Sequence, residues 1–136
     1  MSLTIESMIS KFSVEGLPAP QGSKRHVGNG RMIEASKYLP AWRKAIEIEC
    51  QSLFEEPMDG ALEVELWFYL SKPSSVSRDY PTVMPDVDKL VRGCLDGMVK
   101  GGAILDDSRV VDLHAYKRYS VDGWTGVQVV VQHLGD

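Results

Sequence analysis

Histidine and cysteine are scarce in this 136-residue chain, at three and two. His26, His114 and His133 are scattered, with no Cys or His partner at zinc-ligand spacing, so a zinc site is not expected. No nucleophile-elbow pattern occurs and neither cysteine has a candidate base near it in sequence, which leaves acyl transfer without support. Cys50 and Cys94 fall on apolar faces of helical patterns, where a small buried thiol is the ordinary role. A run of about 18 apolar residues is also missing. Residues 1–10 lack the basic and apolar regions of a secretory signal, so a soluble, cytoplasmic protein is the expectation. Positive charge is not in excess either. A net charge of −4 argues against a protein that coats nucleic acid by charge alone.

The charge is nevertheless uneven. Residues 1–44 carry seven Lys and Arg against three acids, and residues 45–136 carry eight against sixteen. A basic front and an acidic remainder fit one surface that meets a polyanion and an acidic cluster that holds cations, although an ordinary mixed surface has the same signature. With 43% hydrophobic residues, the length suits one compact domain over residues 1–136, with 1–10 as a loose tail.

Residues 11–16 alternate polar and apolar, with Phe12 and Val14 on one side, which is the period of a half-buried strand. Pro18 and Pro20 end it. Gly28-Asn29-Gly30, flanked by Lys24, Arg25, His26 and Arg31, suggests a tight hairpin with basic arms. From about Leu39 the spacing of Trp42, Ala45, Ile46, Cys50 and Leu53 predicts an amphipathic helix, with Pro40 tolerated in its first turn. Residues 61–70 alternate strictly and predict a strand, whereas 72–84 have no period and read as an exposed loop. Val87, Leu90, Val91, Cys94, Leu95 and Met98 predict a second helix, stopped by Gly101-Gly102. Residues 110–119 and 125–133 read as two strands, joined in a hairpin around Asp122-Gly123. The expected class is α+β, a small mixed sheet packed with two main helices.

The chemistry concentrates around the second helix. Asp86, just after Pro85, is well placed to cap it, which would account for one aspartate. Capping does not account for Asp88 beside the apolar stripe, nor for Asp106-Asp107 just after the helix turns back. Carboxylates gathered without matching cations repel by about 1 kcal/mol or more per close pair, and Mg²⁺, which takes hard oxygen ligands, relieves that repulsion. Asp-x-Asp alone is weak evidence; joined to the downstream pair and to Lys89 and Arg92 it becomes a candidate metal site.

Pro85-Asp86-Val87-Asp88-Lys89-Leu90, then Leu95-Asp96-Gly97, then Leu105-Asp106-Asp107-Ser108-Arg109-Val110 and Lys117 resemble the RusA family of Holliday-junction resolvases, common in phages and prophages. The family pattern is Asp-x-Asp-Asn-Leu-x-Lys, an aspartate in the following helix, and Asp-Asp-x-Gln-Val before a strand. Residues 16–25 are similar to the Pro-rich, basic segment of many members, and the likeness covers most of residues 12–131. The resemblance implies a homodimeric endodeoxyribonuclease that uses Mg²⁺, with Mn²⁺ as a substitute, to hydrolyse phosphodiesters at four-way DNA junctions in recombination and repair, in a bacterial host's cytoplasm if phage-encoded. It implies catalytic roles for Asp86, Asp88, Asp107 and Arg92, and metal ligation by Asp86, Asp88 and Asp107 with Asp106 adjacent. Lys24, Arg25, Arg31 and Lys89 would bind the DNA backbone. The chain departs from the pattern at Lys89 in place of Asn, Arg92 in place of Lys, and Arg109 in place of Gln. A planar guanidinium is not equivalent to a point-like ammonium. The rival readings are a related nuclease acting on forks or flaps and a catalytically idle phage accessory protein that binds branched DNA.

Overall fold

The computed structural model describes residues 9–22 and 37–136, and the backbone of 25–27 and 31–33. The elements in order are β1 (Ile9–Glu15), β2 (Arg25–Val27), β3 (Arg31–Ile33), α1 (Leu39–Leu53), β4 (Ala61–Leu70), α2 (Val87–Lys100), a 3-10 turn (Asp107–Arg109), β5 (Val110–Tyr119) and β6 (Gly126–Gly135). β2 and β3 form the antiparallel hairpin expected of the basic segment, with Val27 opposite Arg31; Gly28-Asn29-Gly30 lies outside the described residues.

The other four strands make one mixed sheet in the order β1-β6-β4-β5. Alternation along β4 turns Leu62, Val64, Leu66 and Phe68 inward, each fully buried, and leaves Glu63, Glu65, Trp67 and Tyr69 half-buried on the other face. Phe12 and Val14 of β1 and Val127, Val129 and Val131 of β6 continue the inward face. Leu39, Trp42, Ile46 and Cys50 of α1 and Leu90, Val91, Cys94 and Met98 of α2 join them in a single core cluster, so the helices cover one side of the sheet. Leu53, counted in the apolar set of α1, ends the helix largely exposed. Both thiols are buried and free; burial pushes Cys50 up to about 12 and Cys94 further, so both stay neutral. No helix among the described residues is long and apolar enough to cross a membrane.

The hairpin expected between the last two strands is not formed. β5 pairs parallel to β4, and β6 lies antiparallel between β4 and β1. The connecting bend, where the Asp122 carboxylate accepts from the Ser120 hydroxyl and the Trp124 amide, carries the chain past the end of β4 instead. Side-chain character decides the placement. β6 sends three buried valines inward and suits a central slot, whereas β5, with Asp112, His114, Lys117 and Arg118, suits an edge.

The two helices meet over glycines four residues apart on α2. A Cβ added at Gly93 would lie 3.2 Å from the Ala19 carbonyl oxygen, one at Gly97 would lie 3.0 Å from Ile46 Cβ, and one at Gly101 would lie 2.7 Å from Cys50 Cβ and 2.8 Å from the Glu47 carbonyl oxygen. This stripe lets α1 and the Pro-rich segment come close to α2. Gly97→Ala is expected to lose about 1–2 kcal/mol, because its neighbours must give by only a few tenths of an ångström, and Gly101→Ala about 3 kcal/mol, because backbone atoms lie closer still and must move. Urea unfolding of the two variants checks this ranking; wild-type stability in Gly101→Ala would contradict it.

Candidate active site

The loop from β4 enters α2 at Asp86, which holds the N-cap position with extended φ −71° and ψ 141°. The capping bond expected of its carboxylate is not made. Its oxygen faces the Lys89 ammonium at 3.5 Å, with the Asp86 side chain about half exposed. Asp88 is exposed one turn before Arg92 on the same face of the helix, and neither forms an ion pair among the described residues. One turn further on, Asp96 is neutralised by Arg43 at 3.4 Å and Lys100 at 3.3 Å. The polar ridge therefore has two halves. The half near the helix start carries two carboxylates and a guanidinium held by little; the half near its end is a structural clamp, in which Arg43 also donates to Gln21 at 2.9 Å.

Lys89 lies where the Pro-rich segment crosses the helix. Its carbonyl accepts from the Gln21 amide at 2.9 Å, and its aliphatic stem runs beside Gly22. Of the other expected DNA contacts, Lys24 lies outside the described residues, and Arg25 and Arg31 stand on β2 and β3 with side chains outside them.

The second pair of acids occupies the opposite end of α2. After the helix, Ala103 donates to the Met98 carbonyl, Ile104 bridges to Met58 just ahead of β4, and the 3-10 turn follows immediately before β5. Asp106 caps this turn by accepting from the Ser108 amide at 3.0 Å. The Ser108 hydroxyl and amide hold its carboxyl below the usual carboxylate range. Asp107 is exposed and makes no ion pair among the described residues. Arg109, which stands where the family pattern has Gln, donates through Nε to Asp59 at 2.6 Å and ties the turn to the segment before β4. The Gly60 amide, with this guanidinium, keeps the Asp59 carboxyl below its ordinary range.

The 14 residues of α2 span about 21 Å at 1.5 Å each. Within one chain, Asp107 is therefore separated from Asp86 and Asp88 by about the length of the helix. Among the described residues no three Asp, Glu, His or Cys side chains are grouped to hold a metal ion. The convergence of Asp86, Asp88 and Asp107 expected from the sequence does not occur inside a single protomer.

One residue given no role by sequence reasoning sits beside Asp86. The Lys117 ammonium donates to the Val83 carbonyl at 2.8 Å and the Pro85 carbonyl at 2.9 Å, bracketing the peptide units that lead into α2. Its strand position is in register with buried Phe68, on the helix side of the sheet. A lysine at an inward parity position was the available signal. An open cleft of about 580 Å³, bordered by Tyr80, Met84, Asp86, Tyr116, Lys117 and Arg118, lies along this corner.

A family model described as Endodeoxyribonuclease RusA matches residues 15–132. The chain is also similar to the uncharacterised protein YqaN of Bacillus subtilis (strain 168), with 32% identity over 141 residues covering 91% of this chain and 96% of that protein.

Lys117→Met removes both bonds to the loop and is expected to cost about 1.5 kcal/mol, the low end of the range for hydrogen bonds to charged groups, because the site is partly exposed. Amide exchange at residues 83–88 should speed up, with Lys117→Arg close to wild type. Unchanged exchange in Lys117→Met would show that the ammonium does not fix the approach to Asp86.

Proposed function

Because this chain belongs to the RusA endodeoxyribonuclease family, we propose that it is a Mg²⁺-dependent endonuclease that resolves Holliday junctions as a homodimer with two shared active sites. The observation that carries this reading is the placement of Asp88 and Asp107, carboxylates without an ion pair among the described residues, at opposite ends of α2, with Asp86 facing Lys89 alone. A two-fold axis that sets two copies of the β5 flank antiparallel brings the partner subunit's Asp107 towards Asp86 and Asp88, and does so twice. Exposed apolar side chains run along the same flank: Val111 and Leu113 on β5, and Val83, Met84 and Val87 at the start of α2. A second copy would cover them. Paired sites also suit a reaction that must nick two strands symmetrically.

The residues fit a hard divalent cation, which is usually held by one or two carboxylates together with water and phosphate oxygens. Asp86 and Asp88 would hold Mg²⁺, or Mn²⁺ in its place, with the partner subunit's Asp107 completing the set and Asp106 adjacent. When bound, the metal acidifies water and offsets charge on the attacked phosphate. Arg92 follows Asp88 by one turn on the same face and supplies positive charge where the phosphorane-like transition state gains negative charge. Lys24, Arg25, Arg31 and Lys89 grip the DNA backbone without reading bases, as recognition of branch shape requires. On this reading the reaction would take place in the cytoplasm.

Intersubunit complementation tests this reading. Asp86→Asn and Asp107→Asn homodimers should bind a synthetic four-way junction and fail to cut it in Mg²⁺. Unfolded together and refolded, they should form about half mixed dimers with one intact site each, restoring nicking at about a quarter of the wild-type site number. No recovery in the mixture, beside an active wild type, excludes the shared site. Full activity of either single variant excludes the aspartate assignment, and binding by the wild type without metal-stimulated nicking supports an idle DNA-binding module.

A further inference from the structure

The segment between β4 and α2 meets the end of β5 in a cationic, aromatic corner that the proposed chemistry does not use. Lys72, Arg78 and Arg118 form no ion pair among the described residues; of the two acids in the segment, Asp79 forms none either and Asp86 faces Lys89. Yet residues 45–136 carry twice as many acids as bases, so intramolecular counter-ions were abundant. Aromatic rings hold these cations instead. The Arg118 guanidinium lies 5.2 Å from the Tyr80 ring, 5.4 Å from Tyr116 and 5.5 Å from Trp67, and donates to the Lys117 carbonyl at 3.0 Å. Trp67 and Tyr116 stack at 3.9 Å with planes 12° apart, and Glu65 fixes the Trp67 indole N–H at 2.9 Å. Arg78 donates to the Tyr119 hydroxyl at 3.0 Å, and Lys72 sits 5.7 Å from the same ring. Rings offset part of the desolvation of a guanidinium without neutralising it, so the charge stays available to a ligand.

Unpaired cations placed by rings, one of those rings largely exposed, match the chemistry of a single polynucleotide strand: cations meet phosphates and ring faces meet bases. Tyr80, 59% exposed, presents such a face. A base pair in a duplex cannot use it, because its faces are already stacked. The corner borders the cleft that reaches Asp86. We propose that Lys72, Arg78, Arg118 and Tyr80 form a track for an unpaired DNA strand, leading it past Asp86, built from residues other than those of the basic β2–β3 hairpin. The biological use of this track rests on the nuclease reading above, but its ligand chemistry does not.

The test is fluorescence anisotropy of the full chain with a labelled 20-nucleotide oligo(dT) and with a blunt duplex of equal length, in EDTA, over a range of KCl. The Lys72→Ala/Arg78→Ala/Arg118→Ala variant should lower the slope of log K against log salt for the single strand by about 2, three contacts at about 0.7 each. Duplex binding should change little. Tyr80→Ala should weaken oligo(dT) binding by roughly tenfold with the slope unchanged. The charge-keeping Lys72→Arg/Arg78→Lys/Arg118→Lys variant should keep the wild-type slope. Lys72→Glu, at an exposed position outside the core, gives a reading even if the triple alanine variant fails to fold, and should weaken oligo(dT) binding by itself. Wild-type affinity and slope in Lys72→Glu, or in a folded triple alanine variant, overturn the track, as does an equal loss of duplex binding. A wild type that binds oligo(dT) through these residues but never nicks a junction keeps the track and removes the nuclease reading.

Discussion

Parallel pairing of β4 with β5 is the constraint from which the rest of the molecule follows. Two adjacent strands can run the same way only if the chain returns along the full length of the sheet between them, and α2 is that return. Its apolar stripe must lie on the sheet, which fixes which residues face solvent. Its two ends must lie at opposite ends of the strands, which separates Asp86 and Asp88 from Asp107 however close the motifs stand in sequence. The fold and the spacing of these acids are thus set by one topological requirement, and the proposed two-fold site would reunite them.

Around that frame, polar contacts locate the working end of the helix more than they stabilise the whole. The contact of Arg43 with Gln21 and Asp96 joins α1, the Pro-rich segment and α2, at side chains still one quarter to one third exposed. Such pairs contribute about 1 kcal/mol or less each. Lys117 and Lys89 act on geometry in the same way, one holding the incoming loop by two carbonyls and the other accepting the Gln21 amide. Stability comes from the fully buried side chains of β4, β6 and the helices. Precision at the start of α2 comes from these weaker ties.

Much of the fold was legible because its signals are periodic. The strict alternation of β4 and the helical spacing of α2 each name a buried face that the structure reproduces, except that Val87, counted in the stripe of α2, is exposed at the helix start. The pairing of β5 and β6 was not legible. A turn-like Asp122-Gly123 suggests a local hairpin, and nothing local reports that the three inward valines of β6 need neighbours on both sides. The residue types of the proposed site rest on family resemblance, whereas the separation of those residues across α2 is visible only in three dimensions. Asp86 and Asp106 illustrate the remaining gap. Position favoured Asp86 as the cap of α2, but its carboxylate makes no capping bond, whereas Asp106 caps the 3-10 turn, because the carboxylate rotamer that decides such a use leaves no mark on spacing.

The uncapped start of α2 has a thermodynamic consequence. A side-chain cap contributes about 1 kcal/mol to a helix, and here the first amides go without it although a capable residue is in place. The N-terminal turn is therefore the part of α2 most ready to fray, and the aspartates on it share that looseness. An anion arriving at this end meets free N–H groups and the positive pole of the helix, and supplies the missing partner itself. On the proposed reading, ligand occupancy and ordering of this turn become one linked equilibrium: a bound phosphate would complete the helix, and the completed helix would hold it more tightly.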